Sequence, residues 1–90
     1  MKNFKELTLL LVEDSIRESM QEIFSGVFQK VISASNGDEG LKKFKKFSPD
    51  IVIADIMMPI MDGLEMSKQI KEVSKNTPVI ILSAYSEKER

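Results

Sequence analysis

Acidic or hydroxyl side chains directly follow three short apolar runs of this sequence, and their chemistry suits a divalent cation. Glu13 and Asp14 follow LTLLLV, Asp55 ends IVIAD, and Ser83 ends VIILS. Carboxylates held close together raise one another's pKa values unless a cation lies among them. Mg²⁺ is bound by one or two carboxylates, a carbonyl oxygen and water. A single aspartate at such a position is more often a helix cap or turn residue, so it is the grouping that favours a magnesium site.

The apolar runs alternate with amphipathic segments, which predicts the element order β-α-β-α-β-α-β. The runs at 7–12, 31–35, 51–55 and 79–83 are short and rich in Leu, Ile and Val. Strands that are buried on both faces of a parallel sheet have this composition. The alternation predicts an α/β fold, a doubly wound parallel sheet whose carboxyl edge gathers the polar residues at one rim.

Each predicted helix opens with a capping pair and carries an apolar side toward the sheet. The capping pairs are Ser15 with Glu18, Asn36 with Glu39, and Asp62 with Glu65. The apolar sides are, in the same order, Ile16, Met20, Ile23, Phe24 and Val27; Leu41, Phe44 and Phe47; and Met66, Ile70 and Val73. Gly40 weakens the second helix and Pro49 prevents it from continuing.

Composition excludes several classes of function. The 90 residues are 42% hydrophobic and 30% charged, which is typical of one globular domain. The sequence contains neither cysteine nor histidine, so disulfides, cysteine-based metal sites and Ser-His or Cys-His catalysis are excluded. A net charge of −1 gives no reason to expect nucleic acid or a membrane as a partner, and the lysines at 42, 43, 45 and 46 are expected to form a solvated helix face. No apolar stretch reaches the roughly 20 residues of a membrane helix, and we expect a cytoplasmic chain.

The segment DIMMPIMDG, residues 55–63, resembles the D-x-x-M-P-x-x-D-G signature of bacterial response-regulator receiver domains. The acidic pair Glu13-Asp14 and the pair Ser83-Ala84 match other markers of that family at the expected separations. The resemblance covers the whole chain. It implies a flavodoxin-like sheet of strand order 2-1-3-4-5, bound Mg²⁺, and phosphotransfer to an aspartate from a histidine kinase or a histidine phosphotransfer protein.

Carried over by position, the resemblance implies a metal site and a phosphoacceptor. Asp55 is the implied phosphoacceptor. The implied metal ligands are Asp14, Asp55 and the backbone carbonyl of Met57, while Glu13 acts mostly through metal-bound water. The resemblance implies no enzymatic activity beyond slow self-dephosphorylation.

The resemblance also implies residues that act on the bound phosphoryl group. Ser83 corresponds to the hydroxyl residue that contacts this group and moves toward it on activation. Met57 and Tyr85 correspond to the positions that tune its lifetime, and their bulk implies slow attack by water. The side chains of Met57, Met58 and Met61 are also expected to fill irregular space beside the sheet rather than to contact a cofactor.

The family's pattern departs from this sequence after SAYSEKER. Receivers of this type continue with a fourth helix, a fifth strand ending in a Lys-Pro pair and a fifth helix, about 30 residues at average element lengths. Lys88 is a poor substitute for that lysine. We therefore expect a receiver domain over 1–90, truncated after the fourth strand, with strand order 2-1-3-4. An apolar edge strand is a template for pairing, so we also expect self-association through the exposed fourth strand.

The sequence is also consistent with functions other than that of a phosphoacceptor. One is a truncated receiver-like interaction or oligomerisation module without phosphotransfer. A metal-dependent phosphohydrolase with Asp55 as the nucleophile is disfavoured, because such enzymes place a second acid where this sequence has Met57. A dinucleotide-binding fold is disfavoured because EDSIRES, after the first apolar run, lacks a glycine-rich turn.

Overall fold

The computed structural model describes residues 3–13 and 18–82, and within them strands and helices alternate as predicted. A short 3₁₀ helix at Phe4–Glu6, which the sequence analysis did not predict, precedes the first strand. The strands are β1 Thr8–Val12, β2 Lys30–Ala34, β3 Ile51–Asp55 and β4 Val79–Leu82. The helices are α1 Glu18–Val27, α2 Gly37–Phe47 and α3 Gly63–Val73. The predictions for Asp14, Ser15, Ile16, Ser83, Ala84, Tyr85 and Lys88 concern residues outside these described ranges.

The described strands form one parallel sheet of order β2-β1-β3-β4, which confirms the predicted order 2-1-3-4. β1 lies between β2 and β3, and its residues Leu9, Leu10 and Leu11 are at most 1% exposed. A strand that is buried on both faces needs apolar side chains at every position. This explains the continuous leucine run where a half-buried strand would alternate.

Helices cover both faces of the sheet. On one face Leu10 of β1 packs in a cluster with Phe44 of α2 and with Met66 and Ile70 of α3. On the other face Leu9 and Leu11 pack with Phe28, and Phe24 and Val27 of α1 lie against this second cluster. The doubly wound arrangement predicted from the alternation is therefore confirmed.

Glycine at position 40 allows α2 to approach its neighbours, and the structure changes the interpretation of this residue. A Cβ atom added at Gly40 would lie 2.8 Å from Sδ of Met66 and 3.0 Å from Cγ2 of Val12. The sequence analysis treated Gly40 only as a weakness of the helix. Its absent side chain is what lets α2 pack closely against α3 and β1.

The predicted starts of α2 and α3 are confirmed by their caps. Oδ1 of Asn36 accepts a hydrogen bond from the amide of Glu39, and Oδ1 of Asp62 accepts one from the amide of Glu65, each at 2.8 Å. The Glu39 carboxylate in turn accepts the amide of Ser35 at 2.9 Å. That hydrogen bond and the neighbouring Lys43 hold the pKa of Glu39 below its usual value. The first turn of α2 is thus tied to the end of β2.

Three residues that the apolar pattern placed toward the sheet are exposed, so their prediction was wrong. Val73 is 56% exposed and Phe47 is 40% exposed, and each is the last residue of its helix, at the end of the packed stripe. The ring of Phe47 has the ammonium groups of Lys30 and Lys46 each 5.3 Å from its centroid, which favours a half-exposed position. Ile23 is 65% exposed because Phe24 and Val27 make the contacts of α1 with the sheet.

Replacing Gly40 by alanine is expected to destabilise the protein by about 1–3 kcal/mol, because the added methyl group overpacks the contact between α2, α3 and β1. Gly26→Ala is the matched control, since a Cβ atom at Gly26 meets nothing within 4 Å. Alanine in that open helical position is expected to stabilise by roughly 0.5–1 kcal/mol. Urea unfolding of both variants measures the difference, and equal free energies of unfolding would contradict the packing role of Gly40.

Self-association through β4 remains a prediction. Within the described residues β4 pairs with β3 alone, and its side chains Ile80 and Leu82 are 44% and 38% exposed. Ile80 is in register with Ile53, so both lie on the face of the sheet that α1 covers. The 90-residue polypeptide is expected to sediment as a dimer or larger at low micromolar concentration, and Ile80→Lys is expected to shift it toward monomer. Val73→Lys, at an exposed position on α3, serves as the control, and a monomeric parent chain would rule out the prediction.

Candidate functional site

The carboxyl ends of β1 and β3 bring Glu13 and Asp55 to neighbouring positions at one edge of the sheet. Val12 of β1 is in register with Ala54 of β3, and an acidic residue follows each of them. The amide of Glu13 donates to the carbonyl of Ala34 at 3.0 Å, which continues the pairing of β1 with β2 by one residue. The structure therefore brings together two of the acidic residues that the sequence analysis assigned to this rim.

Burial differs between these two acids. Glu13 is 6% exposed, and among the residues that the structure describes it is the one charged residue that is buried. Asp55 is half-buried. An ionised carboxylate in such a place must be compensated by hydrogen bonds or by a cation. Glu13 is thus enclosed by the protein, while Asp55 stands nearer to solvent.

The segment that follows Asp55, the β3–α3 loop (residues 56–62), folds back so that α3 begins directly beside β3. The amide of Gly63 donates to the carbonyl of Ile56 at 2.9 Å. A Cβ atom at Gly63 would overlap the carbonyl oxygen of Asp55 and lie 3.0 Å from its carbonyl carbon. Only glycine permits this approach, so the Asp-Gly pair at 62–63 fixes the backbone of Asp55 as well as the start of the helix.

The same loop contains a tight turn centred on Ile60. The amide of Met61 donates to the carbonyl of Pro59 at 2.7 Å, and Ile60 between them has a φ of 69°. A γ-turn with positive φ is rare and strained, and a β-branched residue is especially disfavoured in that region. The side chain of Ile60 is 81% exposed, so the turn gains little from packing.

The prediction that the loop methionines fill space beside the sheet is confirmed for two of the three. Met58 and Met61 are partly buried and pack against the cluster beneath α2 and α3. Met57 is 64% exposed, so the space-filling prediction was wrong for this residue. Sequence reasoning assigned no role to Gly37, whose amide donates to the carbonyl of Met61 at 2.9 Å; the Asn-Gly pair at 36–37 was the signal that could have drawn attention to it.

The donor chemistry of the rim fits a hard cation. Glu13 and Asp55 supply carboxylates, the loop after Asp55 supplies backbone carbonyls, and the chain has no histidine or cysteine to favour a softer metal. The described residues hold no cluster of three or more acidic, histidine or cysteine side chains placed to bind a metal ion. The third predicted carboxylate, Asp14, lies outside the described ranges.

Two lysines of α2, Lys42 and Lys43, pair with acidic residues of the same helix. The ammonium of Lys43 donates to the carbonyl of Ser33 at 2.7 Å and pairs with Glu39 at 3.0 Å. Lys42 pairs with Asp38 at 3.3 Å on the outer side of the helix, where the Lys42 side chain is 77% exposed. The predicted solvated face is confirmed for Lys42, Lys45 and Lys46, while Lys43 is half-buried. In the ranges that the structure describes, no helix is long and apolar enough to cross a membrane.

Known sequences resemble this chain along most of its length. The model of the response regulator receiver domain matches residues 9–90. The chemotaxis protein CheY of Halobacterium salinarum is 36% identical over 84 residues, which are 91% of this chain and 70% of that protein. The regulatory protein PhoP of Bacillus subtilis, named for alkaline phosphatase synthesis, is 34% identical over 83 residues. The chain spans 35% of the length of PhoP and 36% of the probable transcriptional regulator ycf27 of Pyropia yezoensis.

Solved structures share the fold. CheY from the CheX-CheY-BeF₃-Mg²⁺ complex of Borrelia burgdorferi superposes with a TM-score of 0.82 at 34% identity, covering 92% of this chain and 66% of that one. The response regulator TrrA of Thermotoga maritima, in complex with Mg²⁺-BeF, gives 0.80 at 38% identity, covering 90% of this chain and 72% of that one. The sequence match and the shared parallel sheet lead to one conclusion: this chain belongs to the family of response regulator receiver domains.

Proposed function

We propose that this chain is the phosphoacceptor module of a two-component signalling system, in which Asp55 receives a phosphoryl group from a histidine kinase or a histidine phosphotransfer protein. The observation that carries the proposal is the position of Asp55. It ends β3, half-buried, next to the buried Glu13 at the end of β1. The acidic residue that stands nearer to solvent is the one that a donor protein can reach.

The chemistry needs little from the protein beyond placement. An ionised carboxylate oxygen of Asp55 attacks the phosphorus of a phosphohistidine, a P–O bond forms, and the P–N bond breaks as the imidazole leaves. Such transfers depend mainly on positioning and on stabilisation of the phosphoryl charge. The fixed backbone of Asp55, held by the approach of Gly63, supplies the positioning. The histidine belongs to the donor, which agrees with its absence from this chain.

Mg²⁺ is the cofactor that we propose for this site. When bound, it neutralises charge on the phosphoryl oxygens. Asp14, Asp55 and the backbone carbonyl of Met57 would hold it, and Glu13 would hold it through a water molecule. The relatives whose crystal structures contain Mg²⁺ with a beryllium fluoride support this assignment by similarity.

The remaining roles concern the phosphorylated state. We assign Ser83 to contact with the phosphoryl group, and Met57 and Tyr85 to control of its lifetime. The exposure of Met57 supports its part of this assignment, since its side chain is 64% exposed, lies two residues after Asp55 and is not committed to the core. The chain is then an acceptor that loses its phosphoryl group slowly, and it catalyses no reaction on a separate substrate.

Labelling with acetyl phosphate and Mg²⁺, followed by borohydride trapping of the acyl phosphate and mass spectrometry, is expected to mark Asp55. Asp55→Asn is expected to abolish the label because an amide oxygen is a poor nucleophile and forms no acyl phosphate. Asp38→Asn, on the outer side of α2, is the control and should be labelled like the parent chain. A label that survives in Asp55→Asn would refute the role of Asp55. A parent chain that takes no label would favour the alternative of an interaction module without phosphotransfer.

Shortening Met57 to alanine is expected to speed loss of the phosphoryl group, because water gains access to the phosphorus. An increase of about tenfold would correspond to about 1.4 kcal/mol in the activation free energy. The rate is measured as decay of the trapped label after the phosphodonor is removed. Val73→Ala shortens another exposed apolar side chain, on α3, and should leave the rate unchanged. An unaltered rate in Met57→Ala would remove Met57 from the residues that control the lifetime.

A further inference from the structure

We propose that Gly37, the first residue of α2, is a positioning residue that holds the β3–α3 loop in place through its backbone amide. The inference rests on the proposed function, because the loop it holds follows Asp55 and contains the carbonyl of Met57. Gly37 itself lies in a different loop-to-helix junction, after β2. The proposal therefore links the start of one helix to the surroundings of a residue on another strand.

The contact between Gly37 and the loop is made by main chain on both sides. The Gly37 amide donates to the carbonyl of Met61 at 2.9 Å. The first amides of a helix have no partner within that helix, so this amide is free to serve another segment. A Cβ atom at position 37 would overlap the Met61 carbonyl oxygen and lie 2.9 Å from both C and Cβ of Met61. A residue with a side chain would push the loop away.

The loop requires such support because its own geometry is unfavourable. Met61 is bonded on both sides, by its amide to Pro59 and by its carbonyl to Gly37. Ile60, which lies between Pro59 and Met61, has a φ of 69°, and its exposed side chain adds little packing energy. Left-handed geometry is unfavourable for an ordinary residue, because its Cβ atom comes too close to the following carbonyl oxygen. Hydrogen bonds at the two ends of the loop, from Gly37 and from Gly63, offset that cost.

Gly37 can hold the loop because it is itself fixed. Asn36 caps the helix through the amide of Glu39, and the Glu39 carboxylate accepts the amide of Ser35 and pairs with Lys43 at 3.0 Å. These contacts tie the first turn of α2 to the end of β2. The amide of Gly37 is therefore a fixed hydrogen-bond donor. It determines the position of Met61 and, through Met61, of the loop that leads back to Asp55.

The bond is tested first in the parent chain, without metal or phosphodonor. A through-hydrogen-bond scalar coupling between the nitrogen of Gly37 and the carbonyl carbon of Met61 is expected by NMR. The Gly37 amide is also expected to exchange with solvent far more slowly than a first-turn amide without a partner. Absence of the coupling together with unprotected exchange would overturn the proposal. Both measurements hold even if a variant at position 37 fails to fold.

The consequence of the bond is tested with variants. Gly37→Ala is expected to shift the amide resonances of residues 56–62 and to slow labelling of Asp55 on the order of 100-fold, the scale of a displacement of about 1 Å near a reacting group. Gly26→Ala, whose Cβ meets open space, is the control and should do neither. Adding Ile60→Gly to Gly37→Ala should recover part of the rate, because a glycine lets the displaced turn relax. A role limited to stability would leave the resonances of residues 56–62 unmoved in the folded variant.

The outcomes separate the two proposals. A folded Gly37→Ala with unmoved loop resonances and parental labelling would overturn the positioning role. A parent chain that takes no label would overturn the proposed function of Asp55, while the coupling between Gly37 and Met61 would still decide whether the loop is held from α2.

Discussion

Parallel pairing of β1 with β2 on one side and β3 on the other is the constraint on which the site depends. Parallel strands end at the same edge of a sheet, so the residue after Val12 and the residue after Ala54 must be neighbours. The same arrangement buries β1 on both faces, and helices must cover each face. The leucine run that makes β1 a central strand thus also determines that the acidic residues gather at one rim.

Close approach of main chain to main chain, made possible by glycines, also shapes the site. At Gly63 the start of α3 presses against the carbonyl of Asp55, and at Gly37 the start of α2 meets the carbonyl of Met61. Gly40 brings α2 against Met66 in the layer beneath. Glycine raises the entropic cost of folding at each of these positions. In exchange, the β3–α3 loop is held at both of its ends, although it contains a strained turn at Ile60.

Local patterns predicted most of the fold because they act over a few residues. Apolar runs gave the strands, and Asn36 and Asp62 marked the starts of α2 and α3. Contacts between distant segments were not predictable in this way. The Asn-Gly pair at 36–37 marks Gly37 but does not reveal its partner Met61, the packing reason for Gly40 has no local signal, and an isoleucine gives no sign of a positive φ. Val73 and Phe47 are exposed because each lies where its helix extends beyond the sheet. The periodicity of apolar residues does not define that point. The roles of Asp14, Ser83 and Tyr85 remain predictions.

The turn at Ile60 has a consequence for how this segment tolerates change in evolution or in a mutational library. Its side chain meets solvent and its backbone prefers a smaller residue, so most substitutions there should be accepted, with glycine or asparagine favoured. On either side of this turn, positions 37 and 63 accept no side chain without moving the main chain of a neighbouring segment. Position 60 should therefore tolerate substitution, whereas positions 37 and 63 should not. Both of these are glycines, so neither would be found in a search for reactive side chains.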